Sequence, residues 1–226
     1  MDMDYSLEGR IAIVRENMEK AAAGRDVMLV GVAKTKPAEL VRRAVAAGLT
    51  VIGENYVQEF RDKSAAGAYT GAQVHIIGHL QKNKVKYVAG RVDMIQSVDS
   101  AALMEEISKR AASLGKTQDI LLEVNIGGEG SKSGIDPAAL PELLAGAGQC
   151  PGIRVRGLMT IPPAEISSAY FPRMYHLFID NKEKKYDNVS MDFLSMGMSD
   201  DYEAAIKEGA NMIRVGSFIF GPRNYT

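Results

Sequence analysis

Cysteine is almost absent from this chain: Cys150 stands alone among 226 residues. One thiol makes neither a disulfide framework nor a thiolate metal cluster, and its place before Pro151 reads as a loop position with a structural role. Histidine is nearly as scarce. His75, His79 and His176 show no H-x-x-x-H or H-E-x-x-H spacing, so a zinc hydrolase is disfavoured and no metal site is expected. Neither sign of charge dominates, and a formal net charge of −1 offers no attraction to nucleic acid or an anionic membrane. No apolar run is long enough to cross a bilayer. The opening Met1-Asp2-Met3-Asp4-Tyr5 is acidic and lacks the apolar core of a signal peptide, so the expected location is the cytoplasm. P-loop (G-x-x-x-x-G-K-[ST]) and nucleophile-elbow (G-x-S-x-G) runs are missing too, which disfavours P-loop NTPases and α/β-hydrolases.

What is present is an alternation of strand and helix patterns in a chain that is 46% hydrophobic and 24% charged, ordinary values for a globular domain. Short β-branched runs predict strands over 27–33, 50–53, 74–78, 92–97, 120–126, 155–160, 191–195 and 212–215. Apolar residues at helical spacing fill the gaps, over 37–47, 100–114, 137–147 and 201–207, and an extra amphipathic helix over 6–23 precedes the first strand. Gly48, Gly115 and Gly209 follow periodic stretches as left-handed C′ residues do. Asp200 and Glu203 have capping-box spacing, Asn181–Asp187 reads as a solvated loop, and Pro162-Pro163 as another. Eight strand–helix units in this length predict one (β/α)₈ TIM barrel over residues 1–226 with an additional N-terminal helix. The alternative, a doubly wound open sheet, is weakened because no G-x-G-x-x-G turn follows the first strand.

In a barrel of this kind the chemistry lies at the C-terminal ends of the strands. The first strand ends in Val32-Ala33-Lys34-Thr35-Lys36-Pro37. An ammonium at the exit of a buried strand is partly desolvated, which lowers its pKa and makes Lys34 a candidate Schiff-base amine. Lys36 has the same strand parity and competes for the role, and a solvated loop pair would look the same locally. The second strand leads to Glu54-Asn55-Tyr56, the third to His79 through Lys84, the fifth to Asn125 and Ser131-Lys132-Ser133-Gly134, and the sixth to Met159-Thr160.

The last two strands say most. After the seventh comes Gly197-Met198-Ser199-Asp200-Asp201, and after the eighth Arg214-Val215-Gly216-Ser217. Loops seven and eight of such barrels often bind phosphate, and here Ser199 and Ser217 offer hydroxyls while Gly216 permits close backbone approach. A phosphate site opposite a desolvated lysine implies a phosphorylated carbonyl compound: a sugar phosphate, as in a class I aldolase, or pyridoxal 5′-phosphate. Arg214 helps to separate the two. An arginine against a pyridine nitrogen keeps that nitrogen unprotonated and suits weak carbanion stabilisation or storage of the cofactor. An ordinary ion-pair role for Arg214, a plain N-cap role for Ser199 and a turn role for Asn55 are the structural alternatives.

These blocks, together with Gly53-Glu54-Asn55-Tyr56-Val57-Gln58-Glu59, Ile76 through Lys84, Glu123-Val124-Asn125, Ser131-Lys132-Ser133-Gly134 and Arg156-Gly157-Leu158-Met159, run in order along nearly the whole chain. In them the sequence resembles the pyridoxal phosphate homeostasis protein family, single-domain relatives of the alanine racemase N-terminal barrel. The resemblance implies that Lys34 rather than Lys36 forms an aldimine with pyridoxal 5′-phosphate. It also implies that Ser199, Gly216 and Ser217 bind the phosphate, that Arg214 faces the pyridine nitrogen, and that Asn55 lies near the ring. Ser217 stands where the family usually has threonine. The chain ends soon after its eighth predicted strand, so the second domain that completes a two-base racemase is expected to be absent. The implied function is a monomeric carrier that holds the cofactor and delivers it to apo-enzymes, with no catalytic residue assigned. A small pyridoxal-phosphate-dependent racemase or lyase is the alternative. Lys132 is a possible second cofactor contact, and no role is assigned to His79.

Overall fold

The computed structural model describes residues 5–129, 133–163, 166–182, 184 and 186–222. Eight parallel strands close on themselves in sequence order. They are β1 (Met28–Val32), β2 (Val51–Glu54), β3 (Gln73–Ile76), β4 (Met94–Val98), β5 (Gln118–Glu123), β6 (Ile153–Met159), β7 (Val189–Ser195) and β8 (Met212–Val215). Each overlaps its predicted range. The seam between the first and last strands is well formed, with Met28, Leu29, Val30 and Gly31 opposite Met212, Ile213, Arg214 and Val215. An eight-stranded parallel barrel needs just this closure, because a parallel sheet must have both faces covered.

The helices are α1 (Leu7–Ala22), α2 (Ala38–Ala46), α3 (Val57–Ala65), α4 (Ala101–Ala112), α5 (Leu140–Ala147), α6 (Ser167–Lys182), α7 (Tyr202–Lys207) and α8 (Ser217–Phe220), with 3₁₀ turns at Lys82–Tyr87 and Pro137–Ala139. Helix α1, the predicted extra element, opens with Ser6 accepting the Gly9 amide at 3.0 Å and packs against α7 and α8. Gly48, Gly115 and Gly209 have φ of 91°, 65° and 102°, the left-handed C-terminal geometry the sequence implied.

Two expectations need correction. The N-cap of α7 is Asp201, not Asp200, and it makes no side-chain bond to the helix; its Oδ1 instead accepts the Met198 amide at 2.6 Å. The carboxylate therefore serves the loop before the helix. The solvated loop expected from Asn181 begins later, because α6 runs to Lys182 and buries Asn181, whose amide nitrogen donates to the Leu177 carbonyl at 2.8 Å.

Strand alternation divides the core in two. Val30, Val51, Met94, Leu121, Met159 and Met212 pack inside the barrel. Their neighbours, such as Leu29, Ile52, Ile95, Leu122 and Ile213, pack outward against the helices. Among the described residues no helix is long and apolar enough to cross a membrane.

Candidate functional site

Lys34 has the parity of Val30 and Val32, so it continues the inward row of β1 just beyond the strand end, and it is half-buried. Arg214 has the parity of Met212 and enters the barrel from β8. The seam between these strands opens into a cleft of about 220 Å³ lined by Lys34, Lys36, Ser199, Arg214, Gly216 and Ser217, with Val32 and Met198 as apolar walls. Five of the six residues singled out for cofactor binding thus share one cleft. Asn55 is not part of its lining. It follows β2, and its side-chain oxygen Oδ1 is buried with no hydrogen-bond partner.

Lys36 also reaches the cleft, but its ammonium donates to the carbonyls of Gly221 and Pro222 at 3.1 and 2.6 Å. Burial, and then the nearby Arg10, lower its pKa. An amine committed to two carbonyls is a tether rather than a nucleophile. The turn between the two lysines is Thr35 at φ 62°, a left-handed conformation that a β-branched residue adopts only at a cost.

Across the cleft, Ser199 Oγ is the centre of a donor cluster. It accepts the Gly216 amide at 3.3 Å, the Phe218 amide at 3.5 Å and the Ser217 hydroxyl at 3.1 Å. All three contacts are long for their type, so these donors remain able to turn onto a stronger acceptor such as a phosphate oxygen. Packing at 216 is tight: a Cβ there would stand 3.1 Å from the Val32 Cβ and 3.3 Å from the Val32 carbonyl, so β1 would have to give by a few tenths of an ångström. The Gly216 φ of −118° needs no special freedom.

Arg214 is fully enclosed. Nη1 donates to Ser195 Oγ at 2.6 Å and Nη2 to the Thr160 carbonyl at 2.8 Å, and among the described residues no carboxylate lies within ion-pair distance of it. Its expected alternative as a plain salt-bridge partner does not hold. Burial brings its pKa down to about 10, against the pull of Glu123 and Asp201, so it stays charged at neutral pH. Behind it runs a buried polar chain through the barrel. Ser195 Oγ donates to Gln96 Oε1 at 2.8 Å, and Gln96 Nε2 lies 2.9 Å from His75 Nδ1. Burial holds the His75 pKa near 4, which keeps the ring neutral, so Nδ1 accepts from Gln96 and the ring proton sits on Nε2.

Glu123, inward-facing at the end of β5, is buried, and burial with the neighbouring Asp99 raises its pKa to about 7. His79 meets Asp99 at 3.2 Å on the same rim. In the sequence Glu123 stands out only as part of Glu123-Val124-Asn125. A glutamate in line with inward-facing Leu121 was the available signal.

Glu54 behaves unlike a rim residue. It shares the outward parity of Ile52 and is completely buried against α3, with Lys63 Nζ at 2.8 Å and Tyr69 Oη at 2.9 Å. The reading missed Lys63 and Tyr69 altogether. The i, i+4 pair Glu59–Lys63 was a signal, but on a helix it reads as a solvated pair. Lys132 lies outside the described residues.

The donor set suits a phosphorylated aldehyde. An amine shares the cleft with a cluster of hydroxyl and amide donors and with a guanidinium that stays charged at neutral pH. Among the described residues no group of three or more histidine, cysteine or acidic side chains is arranged to hold a metal.

The family described as alanine racemase, N-terminal domain, matches residues 10–224. The pyridoxal phosphate homeostasis protein of Aquifex aeolicus is 44% identical over 96% of this chain and 98% of its own. That of Pseudomonas aeruginosa is 43% identical over 95% of each. Among solved structures, PipY of Synechococcus elongatus with PLP bound superposes with a TM-score of 0.81 at 33% identity, covering 96% of this chain and 100% of PipY.

Proposed function

The chain belongs to the alanine racemase N-terminal domain family and, within it, to the pyridoxal phosphate homeostasis proteins, and on that premise we propose that it stores pyridoxal 5′-phosphate on Lys34 and delivers it to apo-enzymes. The observation that carries the reading is the convergence in one cleft of the Lys34 amine, the Arg214 guanidinium and the Ser199–Gly216–Ser217 donors. Bound pyridoxal phosphate supplies an aldehyde, with which a neutral primary amine condenses to a C=N bond with release of one water.

We assign the attachment to Lys34, which lines the cleft, whereas the Lys36 ammonium donates to the Gly221 and Pro222 carbonyls. Ser199, Ser217 and the Gly216 amide hold the phosphate. Arg214 presents a cation to the pyridine nitrogen and leaves it unprotonated, and Asn55 Oδ1 takes a donor from the ring substituents. Ser195, Gln96 and His75 keep the guanidinium in one orientation. A pyridine nitrogen left unprotonated is a weaker electron sink than a pyridinium, which fits storage better than turnover. The protein is proposed to act as a monomer in the cytoplasm.

The test is the absorbance of the protein mixed with pyridoxal phosphate, before and after borohydride, followed by peptide mapping. A visible band and label on Lys34 are expected; label on Lys36 alone overturns the assignment. One observation favours the alternative, a small racemase or lyase: Glu123, a carboxyl titrating near 7 at the barrel mouth, is a usable acid–base group. Chiral analysis of alanine and serine incubated with the loaded protein decides, and no turnover is expected.

A further inference from the structure

Lys34 is flanked by two residues whose main-chain groups are held from behind, by side chains that take no part in the cleft. Lys63 on α3 is 6% exposed, and its ammonium makes three short contacts: the Ala33 carbonyl at 2.7 Å, Glu54 Oε1 at 2.8 Å and Glu59 Oε2 at 2.9 Å. The same Glu59 oxygen accepts the Thr35 amide at 2.8 Å. The peptide groups before and after Lys34 are therefore both anchored on α3. Tyr69 completes the cluster by donating to Glu54 Oε1.

Burying such a cluster is a poor way to gain stability. Replacing buried ions with apolar groups is often neutral or favourable, and here Glu54 Oε2 is left without a partner. Burial pushes the Glu54 pKa up, against the opposing pull of Lys63. The cluster also sustains a threonine in the left-handed region, where the chain would otherwise relax. What the arrangement does deliver is direction. With Ala33 and Thr35 fixed to α3, the Lys34 side chain leaves the main chain on the cleft side.

We infer that Lys63 and Glu59 are positioning residues for Lys34, which fix the direction from which its amine approaches the cofactor aldehyde. The inference rests on the proposed attachment at Lys34. The proposed phosphate donors and Arg214 lie on β8 and on the loops after β7 and β8, with only Asn55 contributed from the β2 end, so loosening the clamp slows covalent attachment while leaving most of recognition in place. An amine displaced by about 1 Å from its line of attack loses up to roughly a hundredfold in rate.

Glu59→Ala removes the Thr35 acceptor and leaves the Glu54–Lys63 pair in place; the Glu59 side chain is 26% exposed, so the fold tolerates the change. Glu59→Gln restores an acceptor without the charge, and Lys63→Met is the severer variant. Three quantities are measured: the stopped-flow rate of covalent attachment, the affinity for pyridoxine 5′-phosphate, which has no aldehyde, and hydrogen exchange of the Thr35 amide in protein free of cofactor. Glu59→Ala is expected to attach about tenfold more slowly, to bind the analogue within about twofold of the parent, and to exchange the Thr35 amide faster, with Glu59→Gln recovering most of the rate. Equal attachment rates in parent and Glu59→Ala overturn the positioning role alone, as does a parallel fall in rate and analogue affinity. Failure of the parent protein itself to attach the cofactor at Lys34 overturns the functional reading and the positioning role together.

Discussion

Strand β5 carries an acid near each end, and the two have opposite surroundings. Asp119, near the start, is gripped by Arg154 through Nε and Nη2 at 2.8 and 3.0 Å and by Arg156 Nη1 at 2.7 Å. Arg156 continues to Asp192 at 2.5 Å, and Ser190 adds a bond to the same carboxylate. Four residues on, with the same parity, Glu123 is buried beside a second acid and titrates near 7. The contrast extends to the rest of the two ends. Around the barrel mouth an arginine is held by neutral oxygens, an amide oxygen has no partner, and a threonine sits in the left-handed region. Charge is balanced where the barrel needs only to hold together, and left unbalanced where a ligand can complete it.

The sharpest way to break the comparison is Lys34→Ala. Attachment and the visible band should vanish, while the melting temperature of the cofactor-free protein stays within about 2 °C, since a half-buried rim residue contributes little to the fold. Glu123→Gln comes next. A carboxyl whose pKa is raised from 4.5 to about 7 on folding binds its proton more tightly in the folded state, so it costs stability as pH climbs through that window. The glutamine variant should therefore match its parent at pH 4 and exceed it by up to about 3 kcal/mol at pH 8 in urea unfolding. His75 acts in the opposite sense: with its pKa lowered to about 4, stability present above 6.5 is lost as pH falls. The parent profile should accordingly be flatter between 4.5 and 6.5 than that of Glu123→Gln.

At the other end Arg156→Ala should lower unfolding free energy by about 1–2 kcal/mol, a partly exposed network being worth less than a buried one, and leave the visible band untouched. A moved band would show that the two ends are coupled. Ser195→Ala is the mildest change. It removes one bond to Arg214, should cost about 1 kcal/mol, and should shift the band of the loaded protein without altering its stoichiometry.

Much of this was legible in the chain. Strand periodicity and the C′ glycines located all eight strands, and strand-end position selected Lys34, Ser199, Arg214, Gly216 and Ser217 before any contact was visible. The hidden part has a common cause. Whether Glu54 faces the rim or α3, and whether Gln96 meets His75, depends on how eight strands stagger around a closed barrel, a non-local quantity. Lys63 was illegible for a related reason: helical spacing reads a lysine four residues after a glutamate as solvated, and only the strand packed beneath it shows otherwise. Capping-box spacing pointed to Asp200, but α7 begins one residue later, after Asp201, whose carboxylate binds the Met198 amide rather than the helix.

The seam between β1 and β8 also sets a schedule. One wall of the cleft comes from residues 32–36 and the other from residues 198–221, so the groups that share it are synthesised far apart in time. A nascent chain on the ribosome carries Lys34 long before Arg214 or Ser217 exist. The cleft as a whole therefore exists only once the barrel has closed, and on the proposed reading stable loading of the cofactor would report that closure.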